Sequence, residues 1–138
     1  MIHWKDHENY VMKKQHSSLW LSAGCILVVL ALMVGAIGSH MVEEGTARES
    51  FKTAATYHLY ASLAIIVGAI TSMLLKSRLW LLSFILALAG IAFFSGSLYA
   101  KSLAIVETAP LGPFGGLCIM ASWGIIGLAG FMGAFSKE

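Results

Sequence analysis

The polar stretch SHMVEEGTARESFKTAATYHLY, residues 39–60, carries the side chains best suited to chemistry in an otherwise apolar chain. It contains imidazole and carboxylate groups, which bind metal ions and carry protons in many proteins. A metal ion, or a haem held by the histidines, would require these side chains to converge on one point. The candidate ligands are His40, Glu43, Glu44, Glu49 and His58.

The composition identifies the surroundings of this stretch as a membrane. Of the 138 residues, 58% are hydrophobic and 12% are charged, and the mean hydropathy is +0.80. A soluble domain has about 25% charged residues. The chain contains four apolar runs of about 20 residues, and at about 1.5 Å per residue each run crosses a hydrocarbon layer about 30 Å thick. The predicted spans are about 19–38, 57–75, 79–100 and 114–135.

These spans predict an all-α, antiparallel four-helix bundle in which residues 39–60 connect the first two helices. The first run is longer than the roughly 7 to 15 apolar residues of a secretory signal, so we expect it to remain as a span. Residues 1–18 mix charged and aromatic side chains, which predicts a cytoplasmic interfacial segment ahead of the four-helix domain, 19–138.

The positively charged residues predict the orientation, because the side of the membrane with more Lys and Arg near the helix ends is cytoplasmic. Both termini are therefore expected in the cytoplasm, for a protein of the bacterial inner membrane. The charges follow this topology and form no basic stripe, so no nucleic-acid partner is expected. Lys5, Lys13, Lys14, Lys76, Arg78 and Lys137 fall on the cytoplasmic side, and Arg48, Lys52 and Lys101 fall outside.

Small residues at helical spacing predict how the helices pack. In lipid, close approach of small residues replaces the hydrophobic drive for association. Gly68 and Gly96 lie on such seams in the second and third spans, and glycine recurs through the fourth span. Trp123, near the middle of the fourth span, is expected to face the bundle, where its N–H finds an acceptor. The glycines of the fourth span are Gly124, Gly127, Gly130 and Gly133.

Four motifs carry a family resemblance: "GAIGSH" at 35–40, "FKTAATYHLYASLA" at 51–64, "FFSGSLY" at 93–99 and "PFGGLCIMASWGIIGL" at 113–128. In this order they resemble the bacterial membrane family known as domain of unknown function 423. The resemblance extends over about residues 19–135, and its most specific part is Phe-Ser-Gly-Ser-Leu-Tyr. It implies a four-helix integral membrane protein without an established activity.

The two histidines of the family pattern do not both carry over. His40 matches the first, whereas the second falls on Ala61, and His58 stands where the family has glutamine. If the two family histidines act together as ligands, this chain has lost the function or moved one ligand by about one helical turn. This departure disfavours a metal or haem site. The other matching residues are Ser95, Gly96, Ser97, Tyr99, Pro113, Gly115, Gly116 and Trp123.

The predicted threading brings polar residues from several helix ends together at the outer face. In a purely structural interpretation, the serines bond to carbonyls one turn earlier, and the histidines and tyrosines satisfy loop backbone and headgroups. The alternative is a small lipid, quinone or metal pocket at the outer ends of the helices. This predicted outer-face polar cluster consists of His40, Tyr57, His58, Ser95, Ser97 and Tyr99.

The favoured interpretation is a protein without enzymatic activity and without a cofactor. The acidic residues lie only in predicted loops or termini, so neither paired carboxylates nor an activated nucleophile is expected. No ionisable side chain lies deep within a predicted span, which disfavours a transporter. We expect a structural or accessory membrane protein that docks on itself, as a homo-oligomer, or on a larger membrane complex such as a respiratory assembly. Residues 39–60 are expected to be a connecting loop with two well-anchored helix ends rather than a catalytic site.

Overall fold

The computed structural model describes residues 3–75 and 79–135, in which four helices are long and apolar enough to cross a membrane. The third span, Leu79–Ser102, contains two α-helical segments joined by a π-helical turn, Ile91–Ser95. The predicted all-α fold of four membrane-spanning helices is confirmed. The α-helices are α1 (His3–Met41), α2 (Thr46–Leu74), α3 (Leu79–Gly90), α4 (Gly96–Ser102) and α5 (Gly112–Phe135).

The first two helices are longer than the apolar runs that revealed them. Helix α1 starts at His3 and continues without a break into the first span, while the placement of residues 1–18 on the membrane surface stays a prediction. Helix α2 starts at Thr46, so only residues 42–45 are non-helical between the two helices. The expectation of a connecting loop over 39–60 is therefore wrong for most of that stretch. Hydropathy marks the part of a helix that lies in lipid, and a polar extension of the same helix leaves no hydropathy signal.

Arg48 closes the short turn between α1 and α2. Its Nε and Nη2 groups donate to the carbonyl of Val42 at 3.0 and 2.8 Å, and its Nη1 pairs with the carboxylate of Glu44 at 2.9 Å. Gly45 precedes α2 with φ of 111°, a conformation that glycine adopts without steric cost. The polar side chains of this stretch thus hold the end of one helix and the start of the next.

Helices α1 and α2 pack antiparallel in one register. Ser17 and Ser72 lie at one end, where their hydroxyl oxygens are 2.7 Å apart and buried. At the other end, residues 42–45 reverse the chain, and Gly38 lies directly against the Phe51 ring. In this register, residues whose numbers sum to about 89 face each other, an observation that fixes the depth of every residue on α2 relative to α1.

Helix α2 is the centre of the molecule, since it contacts every other helix. Its buried positions are mostly alanine, serine and glycine, which allow neighbouring backbones to approach. The partly buried rings of Trp20 and Trp80 flank the core, and both contact the ring of Phe84. The buried core consists of Ala61, Ala64, Ile65, Ala69, Phe84, Ala87 and Ile119.

A pair of buried serines links α3 to α5. Ser122 donates its hydroxyl to the carbonyl of Ser83 at 2.9 Å, and the two hydroxyl oxygens are also 2.9 Å apart. Ser83 Oγ lies 3.2 Å from the carbonyl of Ser122, so the arrangement is close to reciprocal. In the apolar interior no water competes for these groups, and the pair fixes the register of the third span against the fourth.

Ser122→Ala should therefore lower the free energy of unfolding by about 0.6 to 1.7 kcal/mol, the range found for hydrogen bonds between transmembrane helices. The matched control is Ser22→Ala, because the exposed Ser22 bonds only to the Ser18 carbonyl of its own helix. Unfolding by increasing sodium dodecyl sulfate in mixed micelles measures both variants. Equal stabilities would show that the Ser83–Ser122 bonds contribute nothing beyond their own helices.

The glycines expected to mediate packing differ in their surroundings. A Cβ at Gly68 would lie 2.7 Å from the Phe84 ring, and one at Gly133 would lie 2.6 Å from the side chain of Leu75. Gly96 is exposed, and a Cβ there would approach only the Ile91 carbonyl of the same span, at 3.6 Å. For the remaining predicted glycines, a Cβ would meet no described neighbour within 4 Å: Gly124, Gly127 and Gly130.

Trp123 lies beside these open glycines. Its side chain is 39% exposed, so the expectation that it faces the bundle is wrong. The buried stripe of α5 runs through Gly115, Ile119, Ser122 and Ala129, and residue 123 lies about 100° around the helix from residue 122. Ser122, the preceding residue, is therefore the one that faces the bundle.

Candidate functional site

The members of the predicted polar cluster lie at one end of the bundle. This end carries the turn 42–45 and the loop 103–111 and is called the two-loop end below. Helices α1 and α4 finish there, and α2 and α5 begin there. The orientation of this end relative to the cell stays a prediction. The six residues nevertheless fall into separate environments within it.

His40 and His58 do not converge. His40 is exposed in the last turn of α1, whereas His58 is buried, with 7% of its surface accessible. In the α1–α2 register, residue 40 faces residue 49, and His58 lies nine residues further along α2. At about 1.5 Å per residue, this separates the two positions by about 13 Å along the helix. Glu43, Glu44 and Glu49 are exposed and lie beside His40 in sequence or register, away from His58.

The candidate ligands of a metal or haem are therefore not assembled into one site. Among the described residues, no group of three His, Cys, Asp or Glu side chains is arranged to hold a metal ion. Glu44 and Glu49 instead pair with Arg48 and Lys52 on the exposed start of α2.

His58 contacts Tyr99 across the interface between α2 and the third span. The Tyr99 hydroxyl lies 3.5 Å from Nδ1 of His58, and the two ring centroids are 6.3 Å apart at an edge-on angle of 68°. Phe51 lies on the same face of α2 about two turns nearer the two-loop end. Its ring packs on Tyr99, with ring centroids 4.9 Å apart. The imidazole is thus held between helices, with one nitrogen directed at a phenol.

Two buried polar atoms near this contact have no hydrogen-bond partner among the described residues. They are Nε2 of His58 and Oγ of Ser95, and Ser95 has 0% of its surface accessible. Neighbouring serines behave differently: Ser62 donates to the carbonyl of His58 at 2.7 Å, and Ser97 donates to carbonyls of its own span. Because a buried polar group without a partner costs about 1 to 3 kcal/mol, such groups are uncommon in native proteins.

An aromatic residue precedes each of these two polar residues in the sequence. Tyr57 precedes His58, Phe94 precedes Ser95, and the rings of Tyr57 and Phe94 pack with centroids 4.6 Å apart. Tyr57 also contacts Tyr60 edge-on at 5.8 Å. The side chain of Tyr57 is 38% exposed. The aromatic pair therefore joins α2 to the third span and is partly open to the surface of the bundle.

The π-helical turn sets the position of Ser95, which is its last residue. The Gly96 N–H bonds to the carbonyl of Ile91, five residues earlier. Gly115 of α5 packs directly on this turn, since a Cβ there would lie 2.8 Å from the carbonyl carbon of Phe93 and 2.9 Å from the Cα of Phe94. π-Helical turns inside α-helices occur frequently at functional sites.

Comparison with known proteins gives the family. The sequence pattern of the family described as "Protein of unknown function (DUF423)" matches residues 34–116. The chain belongs to the DUF423 family. The resemblance seen in the four sequence motifs is thereby confirmed, and the matched region contains the whole polar cluster.

Curated relatives of this DUF423 chain are UPF0382 membrane proteins. The one from Staphylococcus epidermidis is 31% identical over 121 residues, covering 80% of this chain and 93% of the relative. The one from Staphylococcus haemolyticus is 34% identical, covering 76% and 88%, and YwdK of Bacillus subtilis is 32% identical, covering 80% and 94%. No solved structure matches the chain. The names of these relatives agree with a membrane protein and state no activity.

Proposed function

We propose that this DUF423 protein is a non-enzymatic accessory component of the bacterial inner membrane, which associates through α5 with a transmembrane helix of another chain. The observation that supports this proposal is the open glycine face of α5, defined as Gly124, Gly127 and Gly130. A Cβ at any of them would meet no described atom within 4 Å. Glycines on a helix surface expose backbone, and exposed backbone allows a second transmembrane helix to approach closely.

Most other glycines in the membrane helices lie against a neighbouring helix, which makes the open face distinctive. A Cβ at Gly24 would lie 2.7 Å from Ile66, and one at Gly68 would meet Phe84 at the same distance. Gly38, Gly90 and Gly115 are likewise in direct contact with a neighbouring helix. Within this molecule, glycine in a span generally marks a helix contact. The open glycines on α5 therefore favour a helix contact that another chain supplies.

The residues around the open glycine face are apolar and would suit a helix partner. Met120, Leu117, Phe131 and Leu128 are exposed on α5. These larger side chains share the exposed surface of α5 with the glycines, and helices pack by fitting such side-chain ridges into the grooves of a partner helix. Because α5 is long and apolar enough to cross the membrane, a helix that packs on its glycine face would also lie within the membrane.

Gly127→Leu tests this function by filling the middle of the open glycine face. The protein, carrying an affinity tag at its C-terminus, is extracted gently from its own membranes and analysed by native mass spectrometry. We expect the wild type to be detected as a homo-oligomer or in a larger assembly at fixed stoichiometry. The variant should lose at least about tenfold in association, equivalent to about 1.4 kcal/mol.

Ala36→Leu is the control, because Ala36 is exposed on α1 and the substitution adds similar bulk away from α5. It should leave the profile unchanged. The mass of the co-purifying chain distinguishes a second copy from a different protein. An identical profile for wild type and Gly127→Leu would contradict docking through α5, as would a wild-type protein that travels as a single chain.

A further inference from the structure

His58 and Ser95 are buried residues on two elements that pack together, α2 and the π-helical turn of the third span. Tyr99, which contacts His58, follows Ser95 by one helical turn, and Ser62 follows His58 by one turn on α2. Because α2 and the third span run antiparallel, Ser95 lies about one turn deeper than Tyr99, beside the level of Ser62. The two residues are therefore offset by about one helical turn, about 5 Å, along the bundle axis.

The unpartnered atoms of these residues, His58 Nε2 and Ser95 Oγ, can both act as donors toward one acceptor. When the Tyr99 hydroxyl donates to Nδ1 of His58, the neutral imidazole carries its proton on Nε2, which is then a donor. The Ser95 hydroxyl supplies a second donor. A carbonyl oxygen accepts two hydrogen bonds through its lone pairs. Such an oxygen, held between the helices, would satisfy both atoms.

The aromatic residues that precede His58 and Ser95 in the sequence favour a planar, apolar ligand. Tyr57 and Phe94 pack together next to the two polar residues, and both Tyr57 and Phe93 are exposed on the surface of the bundle. Sites for small molecules are mostly apolar and aromatic, with a few polar groups that fix orientation. A ligand arriving from the bilayer would pass this aromatic surface before reaching the donors.

We propose that His58, Ser95 and Tyr99 form a binding site for the carbonyl-bearing ring of a membrane-soluble molecule of the quinone class. His58 Nε2 and Ser95 Oγ donate to a ring carbonyl, Tyr99 holds the imidazole in the donating tautomer, and Tyr57 and Phe94 contact the ring. The site lies at the two-loop end between α2 and the third span. It does not use the open glycine face, and either proposal can fail without the other.

The test follows the imidazole directly. Protein labelled with ¹⁵N-histidine, in detergent micelles, is titrated with decyl-ubiquinone, and the His58 nitrogen signals are recorded by NMR. The His58→Gln variant, which lacks these signals, assigns them. We expect a saturable shift of Nε2, because simple partition of the quinone into the micelle is not saturable. Decylbenzene, which has a ring and a tail but no carbonyl, should produce no comparable shift.

Ser95→Ala and Ser97→Ala form the matched pair. Ser95→Ala removes a buried hydroxyl that has no described partner, so it should fold normally and bind decyl-ubiquinone about tenfold more weakly, the loss of one hydrogen bond. Ser97→Ala should bind like the wild type, since Ser97 donates to carbonyls of its own span. Tyr99→Phe should keep the ring contact with Phe51. It should weaken binding, because without the Tyr99 hydroxyl the proton of the His58 imidazole is no longer held on Nε2.

Three results would overturn the proposal. The first is a His58 signal that decyl-ubiquinone does not shift, or shifts without saturation. The second is an equal affinity for the Ser95→Ala and Ser97→Ala variants. The third is an exchange peak between water and the Nε2 proton that persists at the highest quinone concentration, which would identify an internal hydration site instead.

Discussion

Gly115→Ala should separate the fourth membrane helix from the third and cost about 3 kcal/mol or more of stability. A Cβ at this position would lie 2.8 Å from the carbonyl carbon of Phe93 and 2.9 Å from the Cα of Phe94. Ordinary van der Waals contact between carbons is about 3.5 to 4.0 Å. Backbone atoms cannot move aside by changing rotamer, so α5 or the π-helical turn would have to shift as a whole.

Unfolding by sodium dodecyl sulfate in mixed micelles, followed by tryptophan fluorescence, measures this effect. Gly124→Ala is the control, because it makes the same substitution on the same helix at a position with no described neighbour within 4 Å. It should leave stability unchanged or raise it by about 0.5 to 1 kcal/mol, since alanine is favoured over glycine inside a helix. If both variants unfold at the same detergent fraction, the close approach of α5 to the π-helical turn is not needed for the fold.

The contrast between Gly115 and Gly124 shows where sequence analysis reaches its limit. Glycine spacing predicts that a helix has a face suited to close contact, but it does not state what occupies that face. Spacing predicts a packing seam at Gly68, and Gly68 does contact Phe84. The triplet spacing of the fourth span drew attention to Gly124, Gly127 and Gly130, which contact no neighbouring helix among the described residues. The helix contact of α5 uses Gly115 instead, near its start.

The spans themselves were predictable because hydropathy measures the length of chain that lipid can cover. The polar start of α2 was not predictable from hydropathy, because its charged residues resemble those of a loop in composition. In the structure, Glu49 and Lys52 pair at 3.2 Å and stabilise the helix. The π-helical turn in the third span was also missed. Its five residues, Ile91–Ser95, differ from an α-helix in hydrogen bonding and not in residue type.

The burial of His58 is marked in the sequence by the spacing of its neighbours along α2. Along α2, buried residues recur at intervals of three and four, through Ala54, His58, Ala61, Ile65 and Gly68. This is the spacing of one helix face, and it places His58 in line with small residues that pack inward. The exposed His40 has no such series in the last turn of α1. The position of each histidine around its helix, rather than its residue type, therefore distinguishes the buried His58 from the exposed His40.

Phe84→Ala should be the most damaging substitution of a core side chain. Phe84 has 0% of its surface accessible and packs against Trp20 and Trp80, with ring centroids 4.6 and 5.3 Å apart. It joins α1, α2 and α3 at one point, because its ring edge also lies against Gly68. Loss of the ring leaves a cavity that three helices cannot fill without moving. The expected cost is about 3 to 5 kcal/mol.

The same detergent unfolding measures this variant, with cysteine labelling or circular dichroism replacing fluorescence because two tryptophans contact the mutated ring. Phe114→Ala is the control, since Phe114 is 64% exposed and should lose less than about 1 kcal/mol. A loss as small as that of the control would mean that lipid or neighbouring side chains fill the Phe84 position.

A double-mutant cycle with Gly68 tests why a glycine stands opposite this ring. A Cβ at Gly68 would lie 2.7 Å from Cε1 of Phe84, so Gly68→Ala alone should be destabilising. In a Phe84→Leu background the shorter side chain withdraws the atom that collides, and the added methyl occupies part of the space that the ring vacated. The two substitutions should therefore be less harmful together than their separate costs predict, by about 0.5 to 3 kcal/mol. Simple additivity would mean that Gly68 serves the approach of the α2 backbone to its neighbours and not the placement of the Phe84 ring.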